Sequence, residues 1–217
     1  MEIIFESFHH LTDPEWIMKR GGLYLVLIIL FIETGLFFGF FLPGDPLLFI
    51  SGMIIAGAGQ AAHIFPNDIH NLLFWQGMFI VGAVLGNFTG YGLGLRFGYL
   101  LVNNKKDYWL LKRKHMESAQ LFYEKRGGFA ITIARFLPIA RTFVPVIGGM
   151  VGMNFRKFTF YNILGAIVWV GSLVSLGYIL GENEWVNQNL EWVLGGIVLF
   201  VTLPVLKKIL LPKRTRQ

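Results

Sequence analysis

Long apolar runs, separated by short polar segments, dominate the pattern of this chain. Two of these runs, at 74–102 and 158–180, are long enough for a helix to span a bilayer, which takes roughly 20 apolar residues. A third run at 192–211 predicts a last span, although it contains Pro204. The pattern therefore predicts an all-α polytopic membrane protein.

The apolar region 23–55 is interrupted and predicts a broken helix. Glu33 lies inside its first run, and Pro43 and Pro46 end that run around Asp45. The run that follows Pro46 is too short to cross a bilayer as a helix. Irregular backbone is tolerated at membrane depth only where protein or a water-filled cavity covers it. We therefore expect a helix that feeds a re-entrant hairpin.

A second interrupted region, 127–150, contains two arginines six residues apart and two prolines. These residues are Arg135, Arg141, Pro138 and Pro145. Lys and Arg flank the region on both sides, so it is expected to start and end in the cytoplasm and to dip into the membrane as a second hairpin. The prolines of both regions are expected to break helices and expose half-helix ends, or else to shape loops.

Composition and charge agree with a membrane protein. Of the 217 residues, 54% are hydrophobic and 15% are charged, against about 25% charged in a typical soluble domain. Lys and Arg concentrate in 104–126 and in the C-terminal tail, whereas 56–71 and 182–191 contain none. The positive-inside rule places the first two in the cytoplasm and the other two outside, so 21–55 has to make a net crossing outward. Topology thus explains the net charge of +6, and we expect no nucleic-acid binding.

Short matches recur in the same order in two halves of the chain, 19–102 and 125–182. The matched segments are Lys19-Arg20-Gly21-Gly22 with Lys125-Arg126-Gly127-Gly128, Ser51-Gly52-Met53 with Gly148-Gly149-Met150, and Gly82-Ala83, Gly94 and Gly98 with Gly165-Ala166, Gly177 and Gly181. The spans of the two halves cross in opposite directions, so the repeat is inverted and its two hairpins are opposed. We assign 1–18 to an interfacial helix, 19–182 to this transmembrane domain, and 183–217 to a C-terminal spanning helix with a basic cytoplasmic tail.

The candidate site consists of four charged residues in the interrupted regions: Glu33, Asp45, Arg135 and Arg141. A charge at mid-bilayer depth costs roughly 2.5–3.5 kcal/mol, so we expect the acids to face the arginines. The guanidinium forks suit the binding of a phosphate, and the acids are candidate proton carriers, with Glu33 the better one because its flanks are less polar. Three alternatives stay open: ion pairs with a structural role only, an arginine that reaches the interface, and Asp45 as a helix cap.

Sequence signatures of enzymes are missing. The chain has no cysteine, which excludes disulfides, thiolate metal sites and Cys nucleophiles. It also contains no Walker loop, no G-x-S-x-G and no H-E-x-x-H. We therefore expect no enzymatic activity, no cofactor and no metal site.

The interrupted regions resemble the two signature stretches of the DedA family, over roughly residues 20–182. The first stretch is Phe31-x-Glu33 followed by Leu42-Pro43-Gly44-Asp45, and the second is Ala134-Arg135-Phe136-x-Pro138-x-x-Arg141-x-x-x-Pro145-x-x-Gly148-Gly149. That family shares its core domain with lipid scramblases of the eukaryotic endoplasmic reticulum. Its acidic pair falls on Glu33 and Asp45, and its arginine pair on Arg135 and Arg141. The chain departs mildly at Asp45, Ala134 and Gly148, where Glu, Gly and Ala are common.

The resemblance implies a bacterial inner-membrane protein that translocates a lipid, either undecaprenyl phosphate or a phospholipid such as phosphatidylethanolamine, and that depends on the proton motive force. Its expected partners are the lipid phosphate, membrane lipids and protons. Two other functions stay open, a non-transporting scaffold for envelope homeostasis and a lipid-phosphate phosphatase. The glycine ladders can pack within one chain or between two copies, so a homo-oligomer is also possible.

Overall fold

The computed structural model describes residues 16–17, 21–36, 39, 42–57, 64–103, 129–197 and 199. Within these ranges the secondary structure is entirely α-helical, as predicted. The helices are α1 (Gly22–Gly35), α2 (Gly44–Ala56), α3 (Asp68–Asn103), α4 (Phe129–Ala134), α5 (Pro138–Met150), α6 (Phe155–Leu180) and α7 (Glu184–Gln188). The predicted loop 104–126 and, apart from two residues, the predicted interfacial helix 1–18 lie outside the described residues. The predicted span 192–211 is described only as far as 199.

The two long helices, α3 and α6, form the frame of the molecule. They contain the predicted runs at 74–102 and 158–180, and both pass the length and apolarity needed to cross a membrane. Fewer than half of the residues in their apolar stretches are buried. Large apolar side chains such as Leu73, Phe160 and Ile179 are exposed instead, as lipid-facing residues are.

Side-chain hydrogen bonds show that α3 and α6 are antiparallel. The Gln76 amide of α3 donates to the Ser175 hydroxyl of α6 over 2.8 Å. Further along α3, the Asn87 amide contacts Asn162, and the Tyr91 hydroxyl donates to the carbonyl oxygen of Met153, just before α6. As residue numbers rise along α3, the numbers of the residues that they contact on α6 fall. The start of α3 therefore lies beside the end of α6.

The pair α1–α2 begins and ends at the end of the frame where α3 starts. The rings of Tyr24 in α1 and Trp75 in α3 lie 4.9 Å apart, and α1 then runs alongside α3 until Gly35 meets Gly86. From there α2 returns along α6, with Gly52 packed against the backbone near Gly177. The net crossing predicted for 21–55 is therefore wrong. The physical reason is length, because the 14 residues of α1 reach about 21 Å, short of a core of about 30 Å.

The pair α4–α5 begins and ends at the opposite end. The Thr132 hydroxyl of α4 donates to the Tyr161 carbonyl oxygen near the start of α6. The helix α5 then returns along α3, so that Gly149 packs on the backbone around Tyr91, and Met150 packs beside Gly98. Thus α3 packs against α1 and α5, and α6 packs against α4 and α2.

Three of the four predicted helix-breaking prolines lie at helix starts. Pro43 precedes α2, Pro46 lies in its first turn, and Pro138 opens α5, where no backbone N–H is required for the helix. The prediction is wrong for Pro145, because this residue lies inside α5 and the helix continues to Met150. Its cost is the hydrogen bond that its N–H would have donated to the carbonyl of Arg141.

Close packing at the glycines gives a testable prediction for stability. A methyl group on Gly94 would overlap the Val146 carbonyl oxygen and lie 3.1 Å from the Met150 nitrogen, whereas one on Gly92 would meet nothing within 4 Å. We expect Gly94→Ala to lower the thermal unfolding temperature in detergent. Gly92→Ala is the matched control and should be neutral or stabilising by up to about 1 kcal/mol, because Ala favours a helix. Equal effects of the two substitutions would contradict this packing.

Candidate functional site

The four predicted site residues are buried at mid-height in the frame, where the turns of the two helix pairs meet. Their exposed fractions are 0% for Glu33, 4% for Asp45, 2% for Arg135 and 3% for Arg141. This burial excludes the alternative in which one arginine extends to the membrane interface. Buried charges require partners, so the contacts of each group decide its role.

Arg141 joins both acids. Its Nη1 donates to Asp45 Oδ1 over 2.6 Å, and its Nη2 donates to Glu33 Oε1. Arg141 lies on α5, Asp45 on α2 and Glu33 on α1. One guanidinium therefore connects the pair α4–α5 to both helices of the pair α1–α2. The structure therefore brings Glu33, Asp45 and Arg141 together as a single ion cluster.

Two glycines shape the turn that surrounds Glu33. A methyl group on Gly44 would occupy the place of the Glu33 carboxylate, and one on Gly39 would overlap the Glu33 backbone. The turn can close over Glu33 only because both of these positions are glycine. The Glu33 carboxylate thus leaves no room for a side chain at position 44, which explains the glycine of the sequence motif.

Asp45 lies in the first turn of α2, where the partial positive charge of the helix start favours a carboxylate. It is not the cap of that helix, because the N-cap residue is Pro43 and no side-chain capping bond forms there. The capping alternative is therefore wrong. Both of its observed side-chain bonds, from Arg141 and Trp169, reach Oδ1.

Arg135 has a different environment. Its Nη2 donates to Asn162 Oδ1 and makes a marginal contact of 3.5 Å to the carbonyl oxygen of Ala83. Within the described part of the chain, its Nε and Nη1 have no hydrogen-bond partner, and no carboxylate lies within ion-pair distance. The predicted arrangement, in which both arginines face the acids, is thus wrong for Arg135. Its guanidinium is a buried charge held by neutral groups.

Asn162 on α6 is a residue that sequence reasoning missed, and it holds Arg135 against both long helices. Its amide nitrogen donates to the Val84 carbonyl oxygen of α3 over 3.3 Å. Asn87 lies beside it, and with its amide turned over it accepts from Arg135 Nη2 at 2.8 Å and donates to the Thr34 carbonyl oxygen at 3.0 Å. The sequence signal was a polar amide inside the predicted apolar span 158–180.

Trp169 was also missed. Its indole N–H donates to Asp45 Oδ1 over 2.8 Å, and its ring lies 5.0 Å from the Arg141 guanidinium and 6.0 Å from that of Arg135. Tryptophan in membrane helices is enriched at the interfaces. A tryptophan near the centre of the 26-residue α6 was therefore the available signal.

The two arginines differ in their ion pairs. Arg141 is paired with two acids, whereas no described acid is paired with Arg135. Arg offers planar donors that match phosphate oxygens. Among the described residues, no group of three His, Cys, Asp or Glu side chains is placed to hold a metal ion.

Comparisons with known proteins match most of the chain. Residues 42–179 match the VTT domain family. Protein DedA of Escherichia coli K12 is 37% identical over 190 residues, which cover 88% of this chain and 83% of that protein. The inner membrane protein YqjA of the same strain is 36% identical over 182 residues, covering 82% and 75%. An uncharacterized membrane protein of Mycobacterium leprae is 35% identical over 193 residues, covering 89% and 82%. No solved structure matches significantly.

The two arginines are expected to differ in their effect on stability. Arg141→Gln leaves two buried carboxylates without their shared cation, which costs roughly 3–5 kcal/mol when one partner of a buried pair is removed. Arg135→Gln removes an uncompensated charge and keeps an amide beside Asn162, so it should be neutral or stabilising. Thermal unfolding of both variants in the same detergent measures the difference. A loss of stability in Arg135→Gln as large as that in Arg141→Gln would contradict the assignment.

Proposed function

This chain belongs to the DedA family of VTT-domain membrane proteins, and we propose that it translocates a phosphate-bearing lipid across the bacterial inner membrane. The observation that carries the proposal is the buried guanidinium of Arg135, for which the described residues supply no acid. The relative YqjA is named an inner membrane protein, which supports that location. Undecaprenyl phosphate and phosphatidylethanolamine are the substrates that the family resemblance favours.

A phosphate group fits the donors that Arg135 leaves unused. Nε carries one N–H and Nη1 carries two, and none of the three has an acceptor among the described residues. Charge-assisted bonds from a guanidinium to phosphate oxygens are about twice as strong as neutral ones. The phosphate would compensate the buried charge of Arg135, while the acyl or prenyl tail would remain in the surrounding lipid.

Alternating access would follow from an inverted repeat with two opposed re-entrant hairpins. Positions matched in the sequence repeat make corresponding contacts: Gly52 of α2 packs near Gly177 of α6, and Gly149 of α5 packs near Gly94 of α3. Both contacts join a hairpin to the long helix of the other half. Folds of this type place the substrate at the repeat interface near the midplane and move one repeat against the other, which is where Arg135 would hold its phosphate.

The charge pattern orients the proposed transporter. Lys and Arg in 104–126 and in the tail would place those segments, and the C-terminus, in the cytoplasm. The start of α3 would then face outward, so that α1–α2 enters from the outside and α4–α5 from the cytoplasm. Each hairpin would carry its charges to the same depth.

Proton coupling would arise from charge balance in the cluster. With both acids ionised, Glu33, Asp45 and Arg141 together carry one excess negative charge. A phosphate that compensates Arg135 would leave this excess unbalanced in a medium of low dielectric constant. A proton on Glu33 would offset that charge. Its Oε2 is buried and accepts no side-chain hydrogen bond among the described residues, which leaves a place for the proton.

Reconstitution into vesicles tests the function. Labelled undecaprenyl phosphate or phosphatidylethanolamine should cross the bilayer faster with the protein, and a phosphate-free diacylglycerol should not. Arg135→Gln should reduce the rate at least about tenfold, the equivalent of about 1.4 kcal/mol. Arg96→Gln, which alters an exposed arginine of α3, is the matched control and should leave the rate unchanged.

Other outcomes of the same assay would favour other functions. No movement of any lipid, while the gene still corrects envelope defects in cells, would favour the scaffold. Release of inorganic phosphate would identify a phosphatase. Lipid transport of equal rate in the Arg135→Gln variant would contradict the assigned site.

Glu33→Gln tests the coupling. The amide keeps the size of the side chain and its contact with Arg141 but cannot exchange a proton. We expect transport by this variant to lose its dependence on pH between about 6 and 8, measured in the same vesicles with matched internal and external buffers. A pH response equal to that of the wild-type protein would refute Glu33 as the carrier.

A further inference from the structure

Trp169 contacts both parts of the charged site. Its indole N–H donates to Asp45 Oδ1 over 2.8 Å, and this is the same oxygen that accepts from Arg141 Nη1 over 2.6 Å. Its ring lies 5.0 Å from the Arg141 guanidinium and 6.0 Å from that of Arg135. The side chain is 1% exposed. Trp169 thus links the acid cluster to Arg135 through one hydrogen bond and two ring contacts.

The indole N–H helps to hold Asp45 in the ion cluster. It donates to Oδ1, the same oxygen that accepts from Arg141. The charged groups that face Asp45 from the surrounding elements are Arg141 of α5, Glu33 of α1 and, beyond the indole ring, Arg135 of the turn after α4. From α6, Trp169 is the side chain that bonds to it.

The indole ring affects the position of Arg135. A guanidinium within about 6 Å of a tryptophan ring centroid is attracted to its face. Gly165 of α6 leaves room for the Arg135 stem, because a methyl group there would lie 2.9 Å from Arg135 Cδ. The guanidinium thus lies between the amide of Asn162 and the ring of Trp169. A phosphate that binds Arg135 competes with this ring contact.

We propose that Trp169 is a positioning residue that couples binding of a phosphate at Arg135 to proton uptake by the ion cluster of Glu33, Asp45 and Arg141. The inference rests on the proposed function. When a phosphate group draws the Arg135 guanidinium away from the ring, the indole is free to shift, and its N–H loosens from Asp45. Asp45 then depends on Arg141 alone, and Glu33, which shares that arginine, takes up a proton more readily. The occupant is a phosphate on a lipid, and free inorganic phosphate is the alternative source of the same chemistry.

Fluorine NMR of protein labelled with 5-fluorotryptophan reads this residue directly. The Trp169 resonance is assigned as the one that is missing from Trp169→Phe. It should shift on addition of dioleoyl phosphatidic acid, and dioleoylglycerol, which has the same tails without the phosphate, should leave it unchanged. Inorganic phosphate should shift it only if the free anion is also a ligand. Without lipid, the resonance should move with pH in the wild-type protein.

Two site variants separate the two responses. Arg135→Gln should abolish the response of the Trp169 resonance to phosphatidic acid while the response to pH remains. Glu33→Gln should abolish the response to pH. A resonance that moves with neither lipid nor pH would overturn the proposal.

Binding measurements on Trp169 variants give a second test. Trp169→Phe keeps a ring but loses the N–H, so it should bind phosphatidic acid within about threefold of the wild-type affinity and lose the pH dependence of that affinity. Trp169→Leu lacks both groups and should bind at least about tenfold more weakly. Trp185→Phe, at an exposed position, is the matched control and should behave as wild type.

The outcomes distinguish this inference from the proposed function. Trp169→Phe with wild-type affinity and wild-type pH dependence would overturn the role of Trp169 and leave lipid transport standing. Failure of the wild-type protein to bind any phosphate-bearing lipid would instead refute the proposed function, whatever the Trp169 resonance does with pH.

Discussion

The structure depends on the cost of placing charged side chains where a bilayer excludes water. A single ionised group at that depth costs roughly 2.5–3.5 kcal/mol on insertion scales, and four such groups are gathered at one point of this chain. Two helix pairs that enter the frame from its opposite ends deliver them there. The glycine contacts allow the backbones to approach closely enough for Arg141 to reach both acids. The ion cluster and the packing therefore require one another.

The two arginines have unequal environments, and this inequality separates structural from functional roles. Arg141 is paired with both Glu33 and Asp45 and links three helices. Arg135 is held by Asn162 and faces the ring of Trp169, with no described acid in contact. An uncompensated buried cation is unfavourable unless something anionic binds to it. In the proposed function, the same charge that opposes stability would provide the affinity for a phosphate-bearing lipid.

Sequence reasoning reached much of this arrangement because membrane depth makes a few residues informative. The interrupted apolar regions predicted the broken helices, and the cost of burial predicted that Glu33 and Asp45 meet an arginine. The same reasoning wrongly paired the acids with both arginines, because spacing along the chain does not reveal which guanidinium each carboxylate reaches. The loop charges led to the wrong prediction that 21–55 crosses the membrane, because they indicate the side on which a loop lies and not the length of a helix. Trp169 stayed hidden because its role depends on three contacts from other helices.

The most direct test of the central claim is the affinity of the Asn162→Asp variant for phosphatidic acid. The substitution changes one amide to a carboxylate of the same size beside Arg135 and gives this arginine the counter-charge that Arg141 already has. The account predicts a protein at least as stable as the wild type with at least about tenfold weaker binding, while Asn187→Asp, at an exposed position, binds normally. Wild-type affinity in a folded Asn162→Asp protein would contradict the claim that the uncompensated charge of Arg135 binds the phosphate.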